Sequence, residues 1–171
     1  MRKVKRLLNN KKFLLRLGSI ALLFVFAYLI NLFVFASNVK VYFLKDEKLK
    51  SVKRKLNDNS PLLTIANSIT TGPNRDEQVK GFYSEIPADT AILSVTRIKN
   101  IALVDFNQKL EGYGGGASRI QALIGQIVYS FTELPGIDKV KITVNGEEEV
   151  VLGGEGFVID KPLSRKDLSL N

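Results

Sequence analysis

The stretch SRIQALIGQIVYSFTEL, residues 118–134, carries the clearest structural pattern in the chain. Its large apolar residues recur at the three- and four-residue spacing of an α-helix that buries one stripe. These residues are Ile120, Leu123, Ile124, Ile127, Val128, Phe131 and Leu134. The pattern therefore predicts a helix that packs against other elements, and the following Pro135-Gly136 predicts its end.

On both sides of this helix, apolar and polar residues alternate in short segments separated by turn residues, as in strands joined by turns. Residues 91–98 and 101–106 predict a hairpin, and residues 39–44 and 49–56 predict two earlier strands. After the helix, Asn145-Gly146 is typical of a type I′ turn.

We expect that turn to join a strand over residues 139–144 to a return strand near residues 148–152, with a last short strand at Val158-Ile159. A second helix is predicted to begin at Ser60-Pro61 and to end at Gly72-Pro73, with an irregular segment over residues 74–80. Because hairpins dominate, we predict an α+β fold with two layers, a mainly antiparallel sheet carrying two helices on one face.

The N-terminal part predicts a membrane anchor. Residues 1–16 carry seven bases and no acid, and residues 17–37 carry no charge. At about 1.5 Å per residue, a helix over the uncharged run spans roughly 31 Å, close to the ~30 Å hydrocarbon thickness of a bilayer. A cleavable signal peptide is the alternative, but the apolar run exceeds the usual length of a signal core, so we favour a retained anchor.

These features divide the chain into four parts: a basic cytoplasmic arm (1–16), a transmembrane anchor (17–37), an extracytoplasmic domain (38–163) and a loose tail (164–171). Seven bases also follow the run within residues 40–55, so the positive-inside count is a tie. We break it with the short arm, which has no acid and would itself have to cross, whereas long folded segments translocate largely regardless of charge. We therefore expect a single-pass protein of the cytoplasmic membrane with its N-terminus inside.

Composition excludes several classes of function. The chain has no cysteine and no histidine, so thiolate metal sites, lipid-modified cysteines and histidine bases are excluded. Seven of the 25 bases lie in the arm, which leaves 18 bases against 17 acids and argues against nucleic-acid binding. We expect no cofactor and no metal.

Acidic residues offer one weak catalytic pattern. Asp105 and Glu133 could serve as an acid and base pair. Since Asp105 comes where its strand ends, a role in a turn or a helix cap explains it without catalysis. We therefore predict that the protein is not an enzyme.

A glycine-rich loop precedes the long helix and is the candidate contact for a small ligand, through Gly112, Gly114, Gly115 and Gly116. The loop contains a literal G-x-G-x-x-A pattern, but five residues separate it from the preceding strand. The tight strand-to-helix turn of a dinucleotide site is therefore missing.

The side of the long helix opposite its apolar stripe is unusually free of charge. It carries Ala122, Gly125, Gln126 and Tyr129, where a solvent-facing helix normally carries lysine and glutamate. A glycine inside a helix costs about 1 kcal/mol relative to alanine, which indicates close packing there. We expect this surface to be covered either by the helix that begins at Ser60-Pro61 or by a partner protein.

Several short motifs, in order along residues 39–163, resemble the GerMN domain of the sporulation and spore germination family. They are Val41-Tyr42-Phe43, Gly72-Pro73, Ser84-x-Ile86-Pro87-x-x-Thr90, Val104-Asp105-Phe106, Gln126-Ile127-Val128, Leu134-Pro135-Gly136-Ile137 and Val140-x-Ile142-x-Val144-Asn145-Gly146.

The resemblance implies an extracytoplasmic, noncatalytic α/β module attached to the bacterial cytoplasmic membrane. It also implies a role in cell-envelope, sporulation or germination assemblies, and a likeness to ring-building domains that pack side by side. Members are often lipoproteins, which the lack of cysteine excludes here, and some carry two copies of the domain. No catalytic residues come with the resemblance.

Two functions follow as hypotheses. The first is a membrane-anchored module that binds envelope proteins or a second copy of itself. The second is binding of cell-wall glycan or another small envelope ligand through the glycine-rich loop.

Overall fold

The computed structural model describes residues 15–16, 18–26, 38–56, 60–112, 114–153 and 156–168. They fall into two units, Met1–Ser37 and Asn38–Asn171. In the first unit, residues 15–16 and 18–26 are helical, while Leu17 and residues 27–37 of the predicted anchor lie outside the described residues. No helix within the described part is both long and apolar enough to span a membrane.

The second unit alternates short strands and helices. Its elements are β1 (Asn38–Lys45), β2 (Lys48–Lys55), α1 (Pro61–Thr71), α2 (Arg75–Val79), β3 (Ile92–Ile98), β4 (Ile101–Phe106), a 3-10 turn (Gln108–Leu110), α3 (Ala117–Phe131), β5 (Lys139–Val144), β6 (Val150–Leu152), β7 (Phe157–Ile159) and a second 3-10 turn (Arg165–Asp167).

Among the described residues the strands form three sheets. β1 pairs with β2 and β6 with β7, both antiparallel, and the third sheet has the order β3-β4-β5. In that sheet β3 and β4 are antiparallel, whereas β4 and β5 are parallel. The parallel pair follows from the connection, because α3 carries the chain from the end of β4 back to the start of β5.

The α+β class and its antiparallel hairpins are confirmed, but the prediction of one sheet with two helices on one face is wrong. α1 and α3 both contact β1, and each also contacts the three-stranded sheet, α1 at β3 and α3 at β5. α3 is consequently buried on most of its circumference, as its burial pattern shows. A helix with strands on two sides needs no polar outer face.

Helix α1 begins and ends as predicted. Ser60 caps it, accepting a hydrogen bond from the Leu63 amide at 3.4 Å, and Pro61 occupies the first turn. Gly72 ends the helix with a φ of 80°. That left-handed conformation is one that glycine adopts without steric cost.

The irregular segment predicted over residues 74–80 is wrong, because α2 lies there. Asn74 and Glu77 form a capping box: the Glu77 amide donates to Asn74 Oδ1 at 3.0 Å, and the Asn74 amide donates to Glu77 Oε2 at 2.9 Å. Arg54 of β2 then donates to both Glu77 oxygens at 2.6 Å. The Asn-x-x-Glu spacing is the sequence signal for this short helix.

The turn at Asn145-Gly146 is confirmed, with φ of 51° and 82°. The return strand and the last short strand lie where they were predicted, as β6 and β7, but the pairing of the return strand with β5 is wrong. β6 pairs with β7 rather than with β5. The Nζ of Lys141 explains the arrangement, since it donates to the Glu148 carbonyl at 3.2 Å and to the Asp160 carbonyl at 2.9 Å. A side chain of β5 therefore holds the segments flanking the β6–β7 hairpin, together with a backbone bridge between Val144 and Glu147.

The chain after Pro162 is not loose over its described part. Leu163 and Val140 exchange two backbone hydrogen bonds of 2.8 Å, so the C-terminal segment lies along the outer edge of β5. Arg165 in the following 3-10 turn donates to the Tyr129 carbonyl of α3. Residues 169–171 of the predicted tail lie outside the described residues.

The core of the second unit is built around three fully buried phenylalanines, Phe43 of β1, Phe106 of β4 and Phe131 of α3. Isoleucine, leucine and valine side chains of α1, α3, β4 and β5 complete it. Because these phenylalanines come from elements far apart in sequence, their packing ties the hairpin, the sheet and the helix together.

We predict that Phe106→Ala lowers the free energy of unfolding by about 3–5 kcal/mol, because it removes a buried ring and leaves a cavity. The matched control is Val79→Ala, at a side chain that is 82% exposed, which should change the stability little. Denaturant unfolding of the full chain, followed by circular dichroism, measures both. Equal losses in the two variants would contradict the assignment of Phe106 to the core.

Candidate functional site

The surface predicted on the outer side of α3 is not open. Ala122, Gly125 and Gln126 are buried. Gln126 Oε1 accepts from the Glu85 amide at 2.9 Å, and its Nε2 donates to Ser84 Oγ at 2.9 Å. The prediction of an interaction surface here is therefore wrong for these three residues, because all three are buried within the domain and the segment preceding β3 binds Gln126.

Tyr129, the fourth residue of that predicted surface, is half-buried against β1 and the C-terminal segment. Its ring meets the Tyr42 ring edge-on with centroids 5.5 Å apart, and the Arg165 guanidinium lies 4.7 Å from its centroid. Since α3 also contacts α1, the cover is internal to the domain. Of the two expected covers, the internal one is found at the buried Ala122, Gly125 and Gln126, while a partner contact at the half-buried Tyr129 stays a prediction.

Glu133 is the centre of a polar cluster that joins three elements. It accepts from Lys40 Nζ at 2.6 Å, from the Tyr42 hydroxyl at 2.9 Å and from Arg165 at 3.0 Å. Partial burial by itself opposes ionisation of Glu133, but the hydrogen bonds from Lys40, Arg165 and Tyr42 outweigh it and lower its pKa. Burial, together with the hydrogen bond to Glu133, raises the pKa of Tyr42.

Asp105, the other acid of the predicted pair, has different partners. Its Oδ1 accepts from Thr143 Oγ1 at 2.6 Å and from the Gly146 amide at 2.9 Å. It thus stabilises the turn after β5, and the predicted role in a turn is confirmed. Asp105 and Glu133 share no partner in the described hydrogen bonds, and each is engaged in holding the fold.

The glycine-rich loop lies before α3. Gly112, Gly114 and Gly116 are exposed and Gly115 is half-buried. Gly116 is the N-cap of α3, and its carbonyl accepts from the Arg119 amide at 3.0 Å and the Ile120 amide at 3.1 Å. A ligand contact at this loop stays a prediction.

A groove that the sequence reasoning missed lies between α1 and β3. It has a volume of about 360 Å³, and we call it the edge groove. Its lining residues are Leu63, Ala66, Asn67, Thr70 and Thr71 of α1, Asp89, Thr90 and Ala91 of the loop, and Ile92, Leu93, Ser94 and Val95 of β3.

Exposed apolar side chains and one orphan hydroxyl distinguish the edge groove. Leu63 is 50% exposed and Leu93 is 55% exposed, and they come from opposite walls. Thr90 is buried, and its Oγ1 is the one buried side-chain atom of the described residues that lacks a hydrogen-bond partner. Exposed apolar groups and unsatisfied polar groups both mark surfaces that bind other molecules.

The edge groove runs along β3, the outer strand of the three-stranded sheet. The opposite edge, β5, is covered by the backbone hydrogen bonds between Val140 and Leu163. Strand β2 of the other hairpin carries five bases in eight residues, which is a common protection of an edge. β3 has one charged residue among its seven, Arg97. This low charge was the sequence feature that could have indicated an edge open to pairing.

Comparison with known proteins gives a consistent result. Residues 40–150 match the family model described as sporulation and spore germination (Germane). The spore germination protein GerM of Bacillus subtilis (strain 168) is 30% identical over 96 residues, which cover 56% of this chain and 26% of that protein. The chain thus spans about a quarter of the length of this curated relative.

Two solved structures share the fold. The tandem GerMN domains of the sporulation protein GerM from Bacillus subtilis match with a TM-score of 0.61 and 22% identity, over 78% of this chain and 47% of that one. The first GerMN domain of the same protein matches with a TM-score of 0.60 and 24% identity, over 76% of this chain and 98% of that one. At these identities the likeness shows the shared fold.

We predict that Glu133→Gln destabilises the domain by about 1–2 kcal/mol, because charge-assisted hydrogen bonds from Lys40 and Arg165 become neutral ones. The pKa of Glu133 is lower in the folded than in the unfolded state. Its ionised form therefore stabilises the fold above the ordinary glutamate pKa, and that contribution is lost as the pH falls through the folded-state pKa.

Thermal unfolding at a series of acidic pH values tests this sign. The stability difference between the wild type and Glu133→Gln should be largest near neutral pH and shrink as the pH falls. Glu111→Gln is the control, at a glutamate of the loop before α3 whose backbone amide donates to the Gln108 carbonyl at 3.2 Å but whose carboxylate makes no described hydrogen bond. A difference that stays constant down to the lowest pH would contradict the role of the Glu133 charge.

Proposed function

The chain belongs to the sporulation and spore germination family, and from this premise we propose that it is a membrane-anchored, extracytoplasmic module for protein–protein interaction. It works in a cell-envelope assembly, in sporulation or germination. The observation that carries this proposal is the edge groove, in which an unprotected strand edge lies beside exposed apolar side chains.

The chemistry of the edge groove suits a protein partner. Its two exposed leucines offer apolar contact, and Asn67, Thr70 and Ser94 offer uncharged hydrogen-bonding groups. An edge strand adds main-chain donors and acceptors, which pair with an extended segment of another chain. Recognition through a strand edge and apolar anchors is a recurring mode of protein docking.

A noncatalytic role agrees with how the acidic side chains are used. Glu133 binds Lys40, Tyr42 and Arg165, and Asp105 binds the turn after β5. A general acid or base needs a position from which it reaches a substrate proton. Both carboxylates instead hold elements of the fold together.

Placement outside the cytoplasmic membrane is supported by the sequence. The uncharged run over residues 17–37 is long enough to cross a bilayer and follows a short basic arm. The second unit begins at Asn38, directly after that run. A tether of this kind would hold the domain near envelope proteins.

A second candidate function is binding of cell-wall glycan through the glycine-rich loop. It is favoured by the exposure of Gly112, Gly114 and Gly116 beside the start of α3. Exposed glycines allow a ligand to approach the backbone closely.

We predict that a photo-crosslinking amino acid at Leu63, in the full chain expressed in cells, forms adducts with protein. The matched control places the same amino acid at Val79, which is 82% exposed in α2 and does not line the edge groove. Adducts at Leu63 that exceed those at Val79 support docking in the groove. Equal adducts at both positions, together with retention of the full chain on purified cell wall, would favour the glycan-binding function instead.

We further predict that protease added to intact protoplasts digests the domain that begins at Asn38. The protease reaches an extracytoplasmic domain without lysis, whereas it cleaves a cytoplasmic domain only after the protoplasts are lysed. Immunoblotting with an antibody to the domain, beside a cytoplasmic marker protein, measures this. Survival of the domain in intact protoplasts would contradict its proposed location.

A further inference from the structure

We propose that the occupant of the edge groove is a second copy of this chain, joined to the first by antiparallel pairing of the two β3 strands about a twofold axis. The two three-stranded sheets then form one continuous sheet across the axis. This inference rests on the proposed function as an interaction module, and it names the partner.

The backbone of β3 has hydrogen-bonding groups available for such pairing. Ile98 and Ile101 close a two-residue turn, so the backbone groups of Ile98 point to β4. In an antiparallel pair these directions alternate, which leaves the N–H and C=O groups of Val95 and Arg97 pointing away from β4. Two copies related by a twofold axis present the same groups to each other.

The regular part of β3 is chemically symmetric close to Val95. In a register centred on this residue, Val95 lies opposite Val95 of the second copy, and Ser94 lies opposite Thr96 on the other face of the sheet. Hydroxyl pairs and β-branched apolar pairs across strands are each stabilising. A surface that meets its own copy must be self-complementary in this way.

Charge does not oppose the pairing. The single charged side chain of β3, Arg97, donates to the carbonyls of Lys99, Pro135 and Gly136 at 2.7, 3.3 and 2.9 Å. Its guanidinium is thus directed to the loop after α3 within the same copy. By contrast, pairing of two β2 strands would bring two lysine-rich edges together, and Leu163 already covers β5.

The walls of the edge groove extend the contact beyond the strand. With the axis perpendicular to the sheet, the α1 helices of both copies lie on the same face and flank the junction. Leu63 and Leu93 then lose exposed apolar surface in each copy. Because one strand and one helix side contribute, we expect a small interface and weak association in dilute solution.

The absence of cysteine from the chain allows a direct test, since an introduced cysteine has no second cysteine in its own chain, and a disulfide-linked dimer of this chain reports contact between two copies. Residues opposite each other in an antiparallel pair have Cα atoms about 4.5–5.5 Å apart, within the range that a disulfide spans. Full chains carrying Val95→Cys, in membranes of expressing cells, should form a crosslinked dimer upon mild oxidation. Ser51→Cys, at an exposed residue of β2, is the matched control.

Two different single-cysteine chains sharpen the test. Ser94→Cys and Thr96→Cys, expressed together, should crosslink to each other more than either crosslinks to itself, because these residues lie opposite across the axis. If neither this mixture nor Val95→Cys forms more crosslinked dimer than the Ser51→Cys control, the pairing is refuted.

A backbone variant tests the pairing in detergent micelles by sedimentation of the full chain. Val95→Pro removes the outward N–H, which an edge strand tolerates, and should weaken self-association roughly tenfold or more because two hydrogen bonds across the axis are lost. Val95→Thr keeps the N–H and the branched side chain, and should associate like the wild type. Equal association of both variants would refute the pairing. If Val95→Pro does not fold, the cysteine crosslinking experiment still decides whether the strands pair.

Failure of this inference is distinguishable from failure of the proposed function. If Leu63 forms adducts with a different protein while the β3 cysteines give no crosslink, the edge groove binds a partner other than a second copy. If neither position reacts above its control, both the inference and the docking role of the groove fail.

Discussion

The burial of α3 on most of its circumference is the constraint on which the rest of the domain depends. A helix surrounded in this way must satisfy every polar group that it carries, since an unpaired buried group costs about 1–3 kcal/mol. Ser130 shows how this is done: its hydroxyl donates to the Gln126 carbonyl at 2.6 Å and accepts from the Tyr42 amide at 2.9 Å. Gln126 is satisfied in turn by Ser84 and the Glu85 amide. These bonds fix the positions of β1 and of the segment before β3 relative to the helix.

The end of α3 is where the remaining elements are joined. Glu133 binds Lys40 and Tyr42 of β1 as well as Arg165 of the C-terminal segment. Arg165 also donates to Thr132 Oγ1 at 2.8 Å and lies over the Tyr129 ring. Because Leu163 pairs with Val140, the same segment closes the edge of β5. One arginine and one glutamate thus connect the first strand, the last turn and the central helix.

Much of this architecture could be predicted from local sequence. The apolar stripe of α3, the Ser60-Pro61 start of α1, the hairpins and the Asn145-Gly146 turn all depend on residues close together in the chain.

The errors concern contacts between distant residues. Strand β5 has the same alternation whether it pairs parallel or antiparallel, so its partner could not be read from it. Lys141 and Arg165 are of residue types that usually lie in solvent, yet each donates to backbone carbonyls of other segments of the chain. The small, neutral side of α3 correctly indicated close packing, but β1 and residues 84–85, which supply it, are too far away in the chain to be identified from this pattern.

The uncovered edge of β3 follows from this topology. The crossover through α3 places β5 on one side of β4, and the two-residue turn after β3 places β3 on the other, so one of the outer strands is left without a neighbour unless another segment covers it. The C-terminal segment covers β5, and no described segment pairs with the outer edge of β3. Natural proteins usually protect such an edge with charges, a proline or a distorting bulge, because an unprotected edge invites pairing with other chains. β3 has a bulge near Leu93 but retains a regular register from Ser94 to Ile98. The lysine-rich β2 in the same domain shows that the chain contains a protected edge as well. An edge left neutral and partly apolar beside a groove, in a domain that protects the edges of β2 and β5, is best explained by a strand that pairs there.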